Sequence, residues 1–394
     1  MRAFPSQALS ELAVSIDYGL TASARNGDGP RFLRITDLQN DSVDWSAVPS
    51  CDCSEEDAKK FALSGGDIVF ARTGATTGKS YLITSPPHVS VFASYLIRVR
   101  AKESVFPLFL AHFFKSQKYW RQISSLSEGA AQPGVNATKL GSLQIPVPPL
   151  DEQKRIATIL NKADSLRRKR QQAIRLADDL LRAAFLDMFG DPVTNPKGWQ
   201  VVKLGELAKS DRYAIKAGPF GSALKKECYV SSGYRIYGQE QVIRDDLTFG
   251  DYYINEDKYR ELESCKVESG DMLISLVGTF GKICIVPPEF EPGIINPRLM
   301  KVSFDPLKAT PRFMKALLTS DPMVRKIESL SHGGTMGIVN VGIMKELEIP
   351  VPPVAIQIRF EEVQQKLATL KANYDAAEEQ TTSAFSALQS RYFS

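Results

Sequence analysis

Residues 143–192 read LQIPVPPLDEQKRIATILNKADSLRRKRQQAIRLADDLLRAAFLDMFGDP, and this stretch decides the architecture. Pro146, Pro148 and Pro149 cannot sit inside a helix, because they lack the donor N–H and clash with the preceding turn. Asp151 is the expected N-cap, with Glu152 at the positive end of the helix dipole. From Ile156 the apolar residues recur at three- and four-residue steps: Ile156, Ile159, Ala163 and Leu166, then Ala173, Ala177, Leu180 and Ala184. That is a heptad seam, interrupted at Arg170. A second row, Leu160, Ile174, Leu181 and Met188, widens the stripe toward contact with more than one helix. Gly190 and Pro192 end it. About 38 residues make a rod of roughly 57 Å, too long for an ordinary globular helix.

The rod has a second copy. With Ile145 laid over Ile349, LQIPVPPLDEQ (143–153) matches LEIPVPPVAIQ (347–357), and SLSEGAAQPGVN (125–136) matches SLSHGGTMGIVN (329–340). At the same offset GDIVFARTGATTGK (66–79) matches GDMLISLVGTFGK (270–282) with one residue deleted. SELAVS (10–15) matches GELAKS (205–210) at a slightly shorter offset. A repeat this long is a duplicated domain, not a solenoid module. The second helix is expected from about Ala355 to Tyr392, with Phe360, Val363, Leu367, Leu370, Tyr374, Ala377, Thr381, Ala384 and Leu388 as its seam. Two such helices bury their stripes against each other. If antiparallel, Arg167, Arg168, Lys169 and Arg170 fall opposite the acidic run from Asp375 to Glu379. The expected fold is α+β: two homologous mixed α/β domains separated by two long antiparallel helices that form a coiled coil with pseudo-two-fold symmetry. The divisions are 1–145 and 191–350 for the domains, and 146–190 and 351–394 for the helical spacers.

In the first domain RFLRITDL (31–38), DIVFAR (67–72), YLIT (81–84) and SYLIRVR (94–100) have strand patterns, and 107–126 has helical spacing. In the second, YRIYGQEQV (234–242), DMLISLV (271–277) and ICIV (283–286) are expected strands. Residues 311–330 are helical with an interruption at Pro322. The copies agree around the helices and differ in 22–64 and 215–268, as two readers of different ligands would.

Composition sets the class. Hydrophobic residues make 43% of the 394 and charged residues 24%, the balance of a soluble globular protein. The net charge of +4 is compatible with a nucleic-acid partner. No apolar run is long enough to span a membrane, and the first residues lack the apolar core of a signal peptide. Five widely spread cysteines point to a reducing compartment, hence the cytoplasm.

Candidate chemistry is sparse. The loop from Gly74 to Ser80, ending in Gly78-Lys79-Ser80, approaches a phosphate-binding loop. That loop needs another glycine where Thr73 stands and a helix after it, whereas YLIT reads as a strand. A hairpin with Gly74 and Gly78 at positive φ fits better. Cys51 and Cys53 lack the further ligands a structural zinc needs, so no metal site is expected. No nucleophile–histidine constellation, paired carboxylate or dinucleotide fingerprint appears. Basic, glycine-rich AIKAGPFGSALKK (214–226) offers Lys216, Lys225 and Lys226 to phosphates, Ser222 as a hydrogen-bond donor and Phe220 as an aromatic. In the following YRIYGQEQ, Arg235, Gln239 and Gln241 have base-edge chemistry, with Tyr237 among them. Arg31, Arg34, Arg72 and Gln132 are the comparable set in the first domain, and Lys79 and Lys282 lie at the hairpin tips.

IPVPPLDEQKRIATIL with its long helix, FGDPVTNPKGWQVVKLGEL (189–207), GPFGSAL and the second IPVPP together resemble the specificity subunit of Type I restriction–modification enzymes. The resemblance covers nearly the whole chain. It implies a non-catalytic subunit with two target-recognition domains, each reading half of a bipartite double-stranded DNA target in the major groove. It also implies helices that set the gap and dock two adenine methyltransferase subunits, and restriction subunits through them. Ile156, Ile159, Leu160, Leu166, Ile174, Leu181, Phe360, Val363, Leu367 and Leu370 are then the partner-binding positions. This chain needs no cofactor; S-adenosylmethionine belongs to the methyltransferase. The departure is Ala355-Ile356-Gln357 where the first copy has Asp151-Glu152-Gln153. The alternative is a nucleotide- or DNA-hydrolysing enzyme built on the 74–80 loop.

Overall fold

A computed structural model describes residues 4–39, 42–86, 89–127, 134–220, 222–276, 282–331 and 340–393. The chain divides into two units, one of Met1–Ala173 with Tyr374–Ser394, the other of Ile174–Asn373. Each unit holds one globular head and a part of each long helix.

In the first unit the order is β1 (Ser6–Ala8), α1 (Leu9–Leu12), β2 (Ala13–Tyr18), β3 (Ala24–Arg25), β4 (Arg31–Leu33), β5 (Ser50–Cys51), α2 (Glu55–Lys60), β6 (Ile68–Ala71), β7 (Ser80–Leu82), β8 (Ser90–Phe92) and β9 (Leu96–Ala101). Then come α3 (Pro107–Phe113), α4 (Gln117–Ser127), α5 (Ala137–Gly141), β10 (Gln144–Pro146) and the start of α6 (Leu150–Phe189). The second unit runs β11 (Gln200–Lys203), β12 (Ile215–Ala217), β13 (Tyr229–Val230), β14 (Tyr234–Tyr237), α7 (Gln239–Arg244), β15 (Tyr253–Ile254), α8 (Glu256–Glu261), β16 (Met272–Ser275), β17 (Ile283–Ile285), β18 (Gly293–Ile295) and β19 (Leu299–Val302). It ends with α9 (Pro311–Leu318), α10 (Asp321–Ser331), α11 (Val341–Glu346), β20 (Glu348–Val351) and α12 (Val354–Phe393).

The two heads share one plan. The first has sheets β1-β10, β2-β9-β6-β7 and β3-β5-β4-β8; the second has β11-β20, β12-β19-β16-β17 and β13-β15-β14-β18. Within them β4 pairs β8 in parallel, as β14 pairs β18. The regions whose sequences diverge therefore keep the same strand order and differ in their side chains, loops and short helices.

The retained Gly-Asp pairs have a physical reason. Gly66 and Gly270 take φ of +96° and +83°, which favours glycine. Asp67 and Asp271 are buried, and each accepts the backbone N–H of the residue three before it, Ser64 at 2.9 Å and Glu268 at 2.8 Å. Asp67 pairs with Arg100 at 2.8 Å, while Asp271 takes Lys301 at 3.3 Å and the Ser303 hydroxyl. A buried carboxylate needs such partners to stay charged.

Several expected strands stop early. The run at 31–38 ends at Leu33, because the Asp37 carboxylate accepts the Arg34 N–H and turns the chain into a 3-10 segment, Ile35–Asp37. The run at 234–242 ends at Tyr237, and α7 begins where Gln241 accepts the Gly238 N–H. The expected helix at 107–126 is two helices, α3 and α4. In the second copy the break lies at 319–320, and Pro322 occupies the first turn of α10, where its missing N–H costs nothing.

Helix α6 begins at Leu150, so Asp151 lies inside the first turn rather than capping it. It ends at Gly190, with φ +76°. Each unit pairs one helix start with the other helix's end. In the first, Ile156 and Leu160 share a core with Phe385, Tyr392 and Phe393, and Phe393 packs on Phe109 of α3 with ring centroids 5.4 Å apart. In the second, Phe360 lies 5.2 Å from Phe189, which packs on Phe313 of α9 at 4.8 Å. Phe189 and Phe393 stand at the same repeat position, so the aromatic anchor is contributed by the opposite helix in each unit. Ion pairing differs from expectation. Arg167 and Arg168 bind Asp164 of their own helix at 2.8 and 2.9 Å. It is Arg170 that reaches the Ala377 carbonyl, at 2.5 Å, and the Thr381 hydroxyl, while Gln171 reaches Glu378 at 2.6 Å. The carboxylate at i−3 and i−4 is simply nearer.

Gln153 and Gln357 join head to helix in the two units. Gln153 accepts the Phe106 N–H at 2.8 Å and donates to the carbonyls of Pro148 at 2.9 Å and Ser104 at 3.3 Å. Gln357 accepts the Thr310 N–H at 2.9 Å and donates to Pro352 at 2.8 Å and Lys308 at 3.1 Å. Replacing Gln153 by leucine strands buried backbone groups, and should lower the unfolding free energy of the first unit by about 3 kcal/mol. A loss below roughly 1 kcal/mol in chemical denaturation would show that the side chain is not the joint.

Candidate nucleic-acid interface

Three strand ends converge at one rim of the β2-β9-β6-β7 sheet. Gly19, just past β2, donates its N–H to the Leu96 carbonyl at 3.3 Å; Arg72, just past β6, donates to Tyr95 at 3.2 Å. The second unit repeats this, with Gly218 bonded to Leu299 at 2.9 Å and Leu276 to Arg298 at 3.0 Å. Both glycines are required by close backbone approach. A Cβ on Gly19 would lie 2.2 Å from the Ala93 carbonyl oxygen, and one on Gly218 only 1.8 Å from that of Asn296.

On this common frame the side chains differ. The first rim carries Tyr18, Arg72 and Tyr95. The Arg72 guanidinium sits 4.9 Å from the Tyr18 ring centre and donates to the Ser94 carbonyl at 3.2 Å. Tyr18 accepts the Ala137 N–H at 3.1 Å, and Tyr95 is 61% exposed. The equivalent positions in the second rim are Ala217, Leu276 and Arg298. Arg298 is exposed, and beside Gly218 the Phe220 ring is 89% exposed. Gln239 lies at this rim, donating to the Ser275 hydroxyl at 2.7 Å. A basic, aromatic edge of this kind offers stacking and phosphate contacts.

The other expected contact residues scatter. Lys79, Lys225, Lys226, Ser222 and Lys282 are exposed, and Lys216 points its ammonium at the Tyr213 ring, 5.7 Å from its centre. Gln132 lies outside the described residues. Arg31 and Arg235 occupy the same place in the two parallel strand pairs and are clamps on backbone. Arg31 donates to the Val48 carbonyl at 2.9 Å. Arg235, 4% exposed, donates to Gly250 and to Glu291, both at 2.6 Å. Burial opposes its charge, and the Glu291 carboxylate overcomes that and holds its pKa above the usual arginine value. Arg34 spends its donors on Asp37. Tyr237 is buried, its phenol pushed up to about 12 by burial, and Gln241 is buried as the cap of Gly238. These five side chains serve the fold, because their polar groups are spent on neighbouring carbonyls, carboxylates and N–H groups. Sequence reading missed Tyr18, Tyr95, Arg298 and the two rim glycines. The aromatic signal in SYLIRVR was present, but a strand pattern masked it.

The 74–80 segment is a hairpin tip. Gly74 and Gly78 have φ of +78° and +85°, and β7 follows directly, so no helix N-terminus faces the loop. The hydrolase alternative has no cradle there.

Along the helices, apolar residues fall into packed and open sets. Ile156, Leu160 and Phe360 are buried; Ile159, Ile174, Leu181, Val363 and Leu367 are half-buried. Leu166 and Leu370 are 52% and 44% exposed, so the inward row runs through Arg167, Lys371 and Phe385 instead. Leu166 in the first unit, and Leu176, Leu180, Leu186 and Ile358 with Leu370 in the second, remain open. Among the described residues no helix is long and apolar enough to cross a membrane.

The Type I restriction modification DNA specificity domain matches residues 23–176 and 196–381. The chain belongs to that family, and it is a specificity subunit of a Type I restriction–modification system. It is 25% identical over 361 residues, 89% of this chain and 83% of the other, to the putative Type I restriction enzyme MjaX specificity subunit of Methanocaldococcus jannaschii. It is 26% identical to the StySPI specificity subunit of Salmonella potsdam, over 91% of this chain and 79% of that one. The crystal structure of the S subunit from M. genitalium shares the fold, with a TM-score of 0.60, 14% identity and coverage of 99% and 96%.

The packed and open sets predict opposite responses. Leu160→Ala should cost about 2–5 kcal/mol of stability and Leu166→Ala less than about 0.5 kcal/mol, as measured by urea unfolding. Equal costs would contradict this division.

Proposed function

We propose that the two heads read the two halves of a split DNA target through their rims, and that the chain supplies the address rather than the chemistry. The observation that carries this is a single backbone frame, kept to the level of the Gly19 and Gly218 contacts, presenting unlike side chains in its two copies. Tyr18, Arg72, Tyr95 and Lys79 are the first set of contacts. Phe220, Ser222, Lys225, Lys226, Gln239, Lys282 and Arg298 are the second, with Lys216 flanking, and Gln132 is a further candidate from the first head's sequence. Lysines contribute phosphate attraction without sequence information, whereas Arg and Gln discriminate guanine and adenine. A 40-residue helix spans about 60 Å, enough to serve half-sites roughly 34 Å apart on one face of the duplex.

The open leucines would dock two adenine methyltransferase subunits, which bring S-adenosylmethionine and flip one adenine from each half-site. Restriction subunits would join through them. The site of action is the cytoplasm.

Sequencing methylated sites in cells that carry the system should show a two-part motif with a fixed gap; a single continuous motif would overturn the reading. In the same cells Arg298→Ala should relax or abolish one half-site, with a loss of about 10–100-fold at one base pair, and leave the other half intact.

A further inference from the structure

The first unit contains a cavity of about 390 Å³ between β7, α3 and α6 that the DNA reading does not use. Its walls are Leu82, Leu108 and Ala111 on one side and the polar groups of α6 on the other. His112 lines it. That imidazole is 4% exposed, and neither ring nitrogen has a hydrogen-bond partner. A buried ring with both a donor and an acceptor unmet is costly and uncommon, and a ligand that draws either shielded nitrogen toward the cavity by a turn of the ring would relieve it. Burial pulls the His112 pKa down to about 4, so the ring is neutral and presents one donor and one acceptor. Lys115, Arg168 and Lys169 bring three positive charges to the same space against the one carboxylate of Asp164, and that carboxylate is paired with Arg167 and Arg168.

The second copy lacks all of this. At the repeat positions of His112, Lys115, Asp164 and Arg168 stand Ala316, Thr319, Ala368 and Ala372. The polar cluster is therefore not demanded by the shared frame, which folds around alanine at three of the four places.

We propose that this cavity binds a phosphorylated small molecule of about mononucleotide size, at a site present in the first unit and missing from the second. The volume falls in the range of small-ligand pockets. The apolar wall suits a base or other flat group. The cationic side with the neutral His112 donor suits phosphate oxygens.

The test uses the full chain with carbon-13-labelled histidine. There are three histidines, so His112 is assigned by elimination with His88→Gln and His332→Gln. Titration with adenosine monophosphate should move the His112 ring signals saturably, and inorganic phosphate should do so more weakly. Lys169→Glu, an exposed change, should raise the half-saturating concentration at least about tenfold with an unchanged melting temperature. The proposal falls if neither probe moves His112 at millimolar concentration, or if Lys169→Glu leaves the titration unaltered. It also falls if short duplex DNA moves the signals and the monophosphate does not, since the phosphate would then belong to the DNA backbone.

Discussion

One buried glutamine side chain holds each head to its rod, Gln153 in the first unit and Gln357 in the second. The Pro148 and Pro352 carbonyls lie ahead of the helices, beyond the Pro149 and Pro353 carbonyls that helical N–H groups meet, and α3 and α9 each begin with an orphan N–H. Gln153 and Gln357 answer both needs with one amide, at distances of 2.8 to 3.3 Å. An apolar residue there would leave those groups unmet, and a charged one would be desolvated. This explains why glutamine alone survives from Asp151-Glu152-Gln153 in Ala355-Ile356-Gln357. The acidic pair touches solvent and the helix dipole; the amide touches the joint.

From that joint the frame extends outward. The buried carboxylates Asp67 and Asp271 tie the turn before the central strand to the sheet. The rim glycines bring β2 and β12 against the neighbouring loops so closely that no side chain fits. Backbone contacts thus define the rim, and the residues on it are free to vary. The proposed reading of two different half-sites would gain from this separation: Tyr18 can be Ala217, and Tyr95 can be Arg298, on the same backbone frame.

Much of the fold was legible because its signals are local. Prolines, glycines and a three-four spacing mark α6 and α12 to within a few residues, and the repeat identifies the duplication. Two kinds of error remained. The seam was placed one residue off at Leu166, Leu180, Leu370 and Ala384, since the inward row runs through Leu181 and through Arg167, Lys371 and Phe385. Their long stems and rings pack where aliphatic residues were expected. The interface was harder still. Arg31 and Arg235 have the side chain of a base reader, but carbonyls brought near by the fold take their donors. Gly19 and Gly218 sit at an offset that matches neither of the aligned parts of the repeat, so only paired strands reveal them as equivalent. Long-range backbone geometry decides both cases, and neither composition nor spacing carries it.

The proposed role makes the helix pair a ruler between two rims. Adding seven residues to α6 after Arg170, and seven to α12 after Glu378, lengthens the pair by about 10.5 Å, or roughly three base pairs. Methylome sequencing of cells carrying this variant should show the gap longer by about three base pairs with both half-sites unchanged. Altered half-sites, or an unaltered gap from a variant that still methylates, would contradict the account.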